Sequence, residues 1–278
     1  MLHVESPYLS FCPWLLRKKF TSTFHVCALE PCFYYKKATH LIAISRETKD
    51  YAMKHFGYAE KDITIINHGV SPKFEALASE EQRSAIRKKY GIPAGKIHIG
   101  LVGSIERRKG HDILLKALST LSESILDEIQ VIFCGSSKSG NTMDWLDRNV
   151  RSTIGWERVT HIEYTDSKEI YDMLDIFVLP SRLEGFPLVT LEAMLSNNCV
   201  VRSNTEGAYE QIIDEETGYL FENENSEQLA SILHYLISHP EQRKETARKG
   251  REYALQHFTA KTMAEKTVSV YKKIINEY

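Results

Sequence analysis

The chain has 278 residues, 42% of them hydrophobic and 26% charged, with a formal net charge of -2. That length holds one large domain or two smaller ones of about 100–200 residues each, and the composition is that of a globular protein, not a disordered one. The near-neutral balance excludes the basic field of a general nucleic-acid binder, no apolar run approaches the roughly 18 residues of a membrane span, and the opening residues lack the basic and apolar regions of a signal peptide.

The cysteines are Cys12, Cys27, Cys32, Cys134 and Cys199, and they make no C-x-x-C pair and no zinc spacing. An odd number without a framework points to reduced thiols and a cytoplasmic setting. In residues 1–37, Phe11, Trp14, Leu15, Leu16 and Phe20 surround Arg17, Lys18 and Lys19. A basic, aromatic segment suits an anionic membrane surface. The favoured reading is plainer: the aromatics pack in a core and the cations are solvated.

From Thr39 the pattern sharpens. Leu41 to Ile44 is a strand, and Ser45 is an N-cap. Thr48 stands where a capping box places Glu or Gln, so the box is expected to be incomplete. The helix runs to about Phe56 and ends at Gly57. Ile63 to Ile66 is the next strand, and Asn67 to Val70 a turn in which His68 is a turn residue. Residues 75–91 are charged and helical, with Gly91 and Pro93 as punctuation. Ile97 to Gly103 is a strand ending in Gly. It feeds the basic loop Ser104 to Gly110 and an amphipathic helix from Asp112 to Leu121. A Gly-ended strand, a basic loop and a helix start are what a diphosphate needs: Lys109 supplies a point charge, and Arg107 or Arg108 a forked donor.

Ile129 to Gly135 is a further buried strand, followed by a Ser/Gly-rich loop through Asn141 and a helix from Met143 to Val150. Val159 to Glu163 is a strand and Lys168 to Leu174 a helix. Ile176 to Leu179 is short, apolar and β-prone, which suits the core of a parallel sheet. Pro180 and Ser181 stop it. Gly185 lets the backbone approach a ligand, and Pro187 suits a first helical position. The amides of Leu188 and its neighbours, with the helix dipole, make an anion site. Glu184 lies before the turn and Glu192 inside the helix. Leu188 to Glu192 spans four residues, roughly 6 Å along a helix axis, about the reach from a bound phosphate to a neighbouring ribose. Glu192 then accepts from sugar hydroxyls, and Glu184 faces the group beyond the phosphate.

Cys199 to Ser203 and Thr217 to Phe221 are strands. Helices follow from Ser226 to Ser238, from Pro240 to about Gln256, and from Ala260 to Tyr278. Strands and helices alternate throughout, which argues a doubly wound parallel sheet with ligands at the carboxyl ends of the strands.

Glu184-Gly185-Phe186-Pro187, four residues, then Glu192-Ala193-Met194 resembles the Glu-x7-Glu signature of glycosyltransferase family 4. Gly103, Lys109 and Gly110 resemble that family's Gly-Arg-x-x-x-x-Lys-Gly motif, with Ser104 in place of the Arg and Arg107 as its candidate substitute. The resemblance implies an α/β, GT-B-like fold of Rossmann type. Its parts would be a partial, acceptor-side N-terminal domain (1–74), a complete nucleotide-sugar-binding domain (75–256) and a helix crossing back to the N-terminal part (257–278). It implies a retaining, hexosyl-type transferase that uses a nucleotide-sugar donor and a glycan or lipid-linked acceptor in polysaccharide or glycoconjugate biosynthesis. Glu184 and Lys109 would be catalytic. Gly103, Ser104, Arg107, Lys109, Thr165, Glu184, Gly185, Phe186, Pro187, Leu188 and Glu192 would hold the donor, with Glu184 on the sugar and Glu192 on the ribose. Tyr164 and Thr165 fall where the family meets the nucleobase, and Tyr164 replaces its usual Gly. No Asp-x-Asp occurs, so neither a metal nor another cofactor is expected, nor is nucleic acid a partner. Two readings stand beside a self-sufficient enzyme at the membrane surface or in the cytoplasm, the first of them raised by the short N-terminal part. One is a donor-binding module completed by a partner chain. The other is a GT-B-fold epimerase, disfavoured because the central stretch matches the transferases.

Overall fold

The computed structural model describes residues 2–5, 10–25, 27, 36–137 and 140–276. Cys32, residues 138–139 of the Ser/Gly-rich loop and residues 277–278 of the helix expected from Ala260 to Tyr278 lie outside them. The chain divides into two compact units: Met1–Gly69 with His257–Tyr278, and Val70–Gln256.

In the first unit, short β-prone runs form the strands β1 (Leu2–Val4), β2 (Phe20–Phe24), β3 (His40–Ala43) and β4 (Ile63–Ile65). They pair in that order, all parallel. Helix α1 (Phe11–Leu15) lies between β1 and β2, and α2 (Arg46–Phe56) between β3 and β4. Ser45 caps α2, and here the structure corrects the sequence reading. The Thr48 amide donates to Ser45 Oγ at 3.1 Å, and Thr48 Oγ1 accepts from the Ser45 amide at 3.0 Å. A threonine hydroxyl therefore closes the box in place of a longer Glu or Gln. Gly57 ends the helix with φ 65°, a left-handed turn that glycine adopts without steric cost.

A second correction concerns α1. Phe11, Trp14, Leu15 and Leu16 are exposed, and of the five apolar residues singled out there only Phe20 is buried. The helix has five residues, little more than one turn, and buries Pro13 alone. Too short to turn a whole apolar stripe inward, it leaves the ring of Trp14 under the Lys36 ammonium, 4.4 Å from its centroid. Among the described residues, no helix is long and apolar enough to cross a membrane.

In the second unit, α3 (Glu80–Lys89) precedes β5 (Ile97–Val102), α4 (His111–Leu118), α5 (Glu123–Leu126), β6 (Ile129–Cys134), α6 (Gly140–Arg151), β7 (Val159–Ile162), α7 (Ser167–Met173) and β8 (Ile176–Leu179). Then come α8 (Leu188–Leu195), β9 (Cys199–Ser203), α9 (Ala208–Gln211), β10 (Tyr219–Phe221), α10 (Ser226–Ser238) and α11 (Pro240–His257). The sheet is parallel, in the order β10-β9-β8-β5-β6-β7. The chain starts in the middle at β5, builds outward to β7, then returns to the other side of β5. A crevice opens where the winding reverses, between the carboxyl ends of β5 and β8. The runs of β6 and β8 are buried along their whole length, as strands covered on both faces require. The last helix, α12 (Ala260–Asn276), belongs to the first unit, where Val270 and Ile274 pack with Ile42 and Ile66.

His111 opens α4 and is fully buried, with Phe133 edge-on at 5.0 Å. Burial pushes its imidazole down to about 4 from 6.5. The folded chain keeps it neutral, whereas the unfolded chain protonates it below 6.5. Its contribution is therefore intact above about pH 6.5 and lost as pH falls toward 4. Over that window the wild type is expected to lose on the order of 1–3 kcal/mol through this site. Urea melts at pH 7.5 and 5 on wild type and His111→Leu check this. The variant should show the shallower pH dependence, and equal slopes would contradict the assignment.

Candidate active site

The loops after β5 and β8 are in backbone contact. Gly110 has φ 75°, and a Cβ there would stand 1.9 Å from the Pro180 carbonyl oxygen. Glycine is required twice over, by the left-handed backbone and by the absence of space. Arg182 fastens the same junction. Its amide donates to the Arg108 carbonyl at 2.8 Å, and its guanidinium grips both oxygens of Asp112 at 3.0 and 2.9 Å. A planar fork meeting a carboxylate fixes angle as well as distance. The sequence carries no spacing signal for Arg182, whose partner is 70 residues away.

This junction sets Lys109 against Glu184. Lys109 Nζ donates to Glu184 Oε1 at 2.7 Å, and the two side chains are only 11% and 8% exposed. The Lys109 stem passes Gly103, where a Cβ would lie 3.4 Å from its Cε. The guanidinium that joins them is that of Arg108. Its Nη1 lies 3.5 Å from Glu184 Oε1 and donates to the Leu183 carbonyl at 3.1 Å. Its Nη2 donates to Glu106 Oε1 at 2.8 Å, and Ser104 Oγ donates to that oxygen at 2.7 Å. Arg107 is elsewhere: its side chain is exposed, and its carbonyl accepts from Arg182.

Phe186 and Pro187 are buried, Gly185 is half-buried and Leu188 is exposed. Pro187 occupies the N-cap position, not the first helical one, with φ -68° and ψ 119°. Gln211 Nε2 donates to its carbonyl at 3.1 Å, and the fully buried Arg202 donates to Gln211 Oε1. The start of α8 is thus held from behind. Its first amides have no carbonyl within the helix to bond.

Glu192, one turn along α8, is not the solvated residue that an isolated helical Glu would be. It faces a cavity of about 400 Å³, which also takes in Gly103, Ser104, Gly135, Tyr164 and Thr165. Burial pushes its carboxyl up, opposed by the Tyr171 hydroxyl, which donates to Oε2 at 3.0 Å. Cys134 also lines the cavity; burial pushes its thiol up to about 11, so it is protonated near neutral pH and no nucleophile. Thr165 Oγ1 lies 3.2 Å from the Tyr90 hydroxyl. Of the residues singled out in sequence, the structure brings Gly103, Ser104, Thr165 and Glu192 to one cavity and Lys109 to Glu184 beside Gly103. It leaves Arg107 outside. Arg108 as the joining cation, Arg182 and Tyr171 emerge only in three dimensions.

The family model described as glycosyl transferases group 1 matches residues 82–253, more than half of the chain. The chain belongs to that family. It is similar to the D-inositol 3-phosphate glycosyltransferase of Corynebacterium aurimucosum, 26% identical over 71% of this chain and 48% of the relative. It is also similar to CapM of Staphylococcus aureus, a capsular polysaccharide biosynthesis glycosyltransferase, 24% identical over 86% of this chain and 63% of the relative. The chain thus spans about half to three-fifths of the length of these relatives. Anabaena HepE in complex with UDP superposes with a TM-score of 0.88 at 19% identity, covering 98% of this chain and 78% of that one. A Rickettsia africae glycosyltransferase does so with 0.88 at 22% identity, covering 100% and 77%. The fold is that of the GT-B glycosyltransferases, with parallel α/β units as expected.

The junction can be tested on its own. Gly110→Ala is expected to destabilise the chain by about 2 kcal/mol or more, since strain and a backbone clash combine. Gly91→Ala, at φ 65° with no atom within 4 Å of the added Cβ, should cost only about 1–2 kcal/mol. Denaturant melts compare the two, and equal losses would contradict the close approach at Pro180.

Proposed function

We propose that this chain carries the donor site of a retaining glycosyltransferase. It would move a hexosyl group from a nucleoside diphosphate sugar to a glycan or lipid-linked acceptor in glycoconjugate or polysaccharide synthesis. One observation carries the reading: a buried lysine–glutamate pair and a helix N-terminus border the same strand ends as a nucleotide-sized cavity with a carboxylate in it. The diphosphate would lie on Lys109, the Gly103 backbone and the first amides of α8. The nucleoside would extend into the cavity with its ribose on Glu192 and its base toward Thr165. Glu184 would hold the donor sugar.

The chemistry is electrostatic. As the glycosidic bond breaks, negative charge grows on the leaving diphosphate, where fixed donors stabilise it most because they need not reorganise. Lys109 has three N–H donors, so it can keep Glu184 and take a phosphate oxygen. Arg108 supplies a second cation at the mouth. Attack from the face the leaving group vacates, assisted by that group, gives retention without a protein nucleophile. The reading needs no metal or other cofactor. The glycan class fits the capsular polysaccharide named for CapM, and the nucleotide class fits the UDP bound to HepE. The site of action on this reading is the cytoplasm or the cytoplasmic membrane surface.

A second reading keeps the same donor site and makes the chain a donor-binding module whose acceptor contacts come from a partner. Binding without hydrolysis or transfer of a nucleotide-sugar would favour it. Both readings share the donor site. Titration calorimetry with UDP, GDP and ADP is expected to find one nucleotide that binds. Lys109→Ala and Glu192→Ala should each weaken it by about 1–3 kcal/mol, the range for charged hydrogen bonds. Affinities unchanged in both variants would overturn the site.

A further inference from the structure

We propose that Tyr171 is a positioning residue for nucleotide binding: its hydroxyl holds the Glu192 carboxylate so that the remaining oxygen meets the cis-diol of an intact ribose. The proposal rests on the reading of Glu192 as the ribose acceptor.

Tyr171 is fully buried in the second unit. Its ring is wedged edge-on between Phe74, with centroids 5.9 Å apart, and Phe177, at 5.6 Å. Its backbone is fixed as well. Asn198 Nδ2 donates to the Tyr171 carbonyl at 2.9 Å and to the Leu174 carbonyl at 3.1 Å, locking the end of α7. The ring therefore has one place to be, and its hydroxyl one direction. That hydroxyl donates to Glu192 Oε2 at 3.0 Å.

A phenylalanine would fill this space without a polar group to bury. A buried hydroxyl is unfavourable unless it is bonded, so the Tyr171 oxygen is matched to the carboxylate. Burial beside Glu192 also pushes the phenol well above its usual range, so it is always protonated and always the donor. Glu192 has three side-chain torsions and, unheld, would spread over several rotamers within the cavity. A carboxylate has about four acceptor positions. Tyr171 takes one and leaves the others for a ligand with two adjacent hydroxyls. The helix axis provides the diphosphate at one end and the Tyr171-held carboxylate a turn later.

The experiment is a ratio. Calorimetry on wild type, Glu192→Gln and Tyr171→Phe uses UDP, GDP and ADP, and the 2′,3′-dideoxy counterpart of the one that binds most tightly. Wild type and Glu192→Gln should differ in their preference for the ribose form. Tyr171→Phe should lose about threefold to tenfold in affinity for the ribose form, the scale of one hydrogen bond, and nothing for the dideoxy form. Equal losses on both ligands would mean that Tyr171 only supports the fold, and would overturn the proposal. A wild type that does not prefer the ribose form would instead overturn the reading of Glu192 itself. Thermal melts establish that the variant is folded. If it is not, 3-fluorotyrosine placed at 171 keeps the ring and makes a stronger donor. The ratio should then rise, and an unchanged ratio would count against the proposal.

Discussion

The site depends on one close approach. The loops after β5 and β8 meet backbone to backbone at Gly110 and Pro180, at the point where the sheet reverses its winding. A doubly wound sheet always leaves a crevice there, but a crevice alone orients nothing. Contact between its two walls does. It brings a lysine from one loop and a glutamate from the other, 75 residues apart, into a single hydrogen bond. Arg182, forked onto Asp112, holds the walls in register.

The electrostatics follow from that geometry. Two buried charges are unfavourable apart and tolerable together, so Lys109 and Glu184 hold each other. Arg108 leans on the same carboxylate from outside. Removing charges from water raises their effect on anything that enters. The cavity beyond is less charged and more apolar, with the Glu192 carboxylate half-buried in it, tethered by Tyr171 and its pKa raised by burial. A diphosphate and a ribose pose these two demands side by side: strong fixed cations for one, an oriented acceptor for the other.

Much of this was legible in the sequence, and the boundary of legibility is physical. Strands buried on both faces read as largely apolar runs, and β6 and β8 did. Glu184, Lys109 and Glu192 could be singled out because each sits at a fixed offset from a turn or a helix start. Interactions across the fold could not be read this way. Arg107 and Arg108 are adjacent and chemically equal, and only the path of the 3₁₀ turn at Arg107–Lys109 decides which guanidinium reaches Glu184. Tyr171 carries no signal within its own helix, because the carboxylate that its hydroxyl meets lies 21 residues away. Thr48 closes a capping box against the usual residue preference, because the Ser45 amide is near enough for a short side chain. The aromatics of α1 looked like core because composition says nothing about a helix too short to have an inner face.

The measurement that tests the account most directly is a crystal structure of the chain with the nucleoside diphosphate it binds. The account places the diphosphate against Gly103, Lys109 and the first turn of α8, with the ribose hydroxyls on Glu192. A nucleotide elsewhere, or one in the cavity with its ribose turned away from Glu192 and its phosphates away from Lys109, would contradict it.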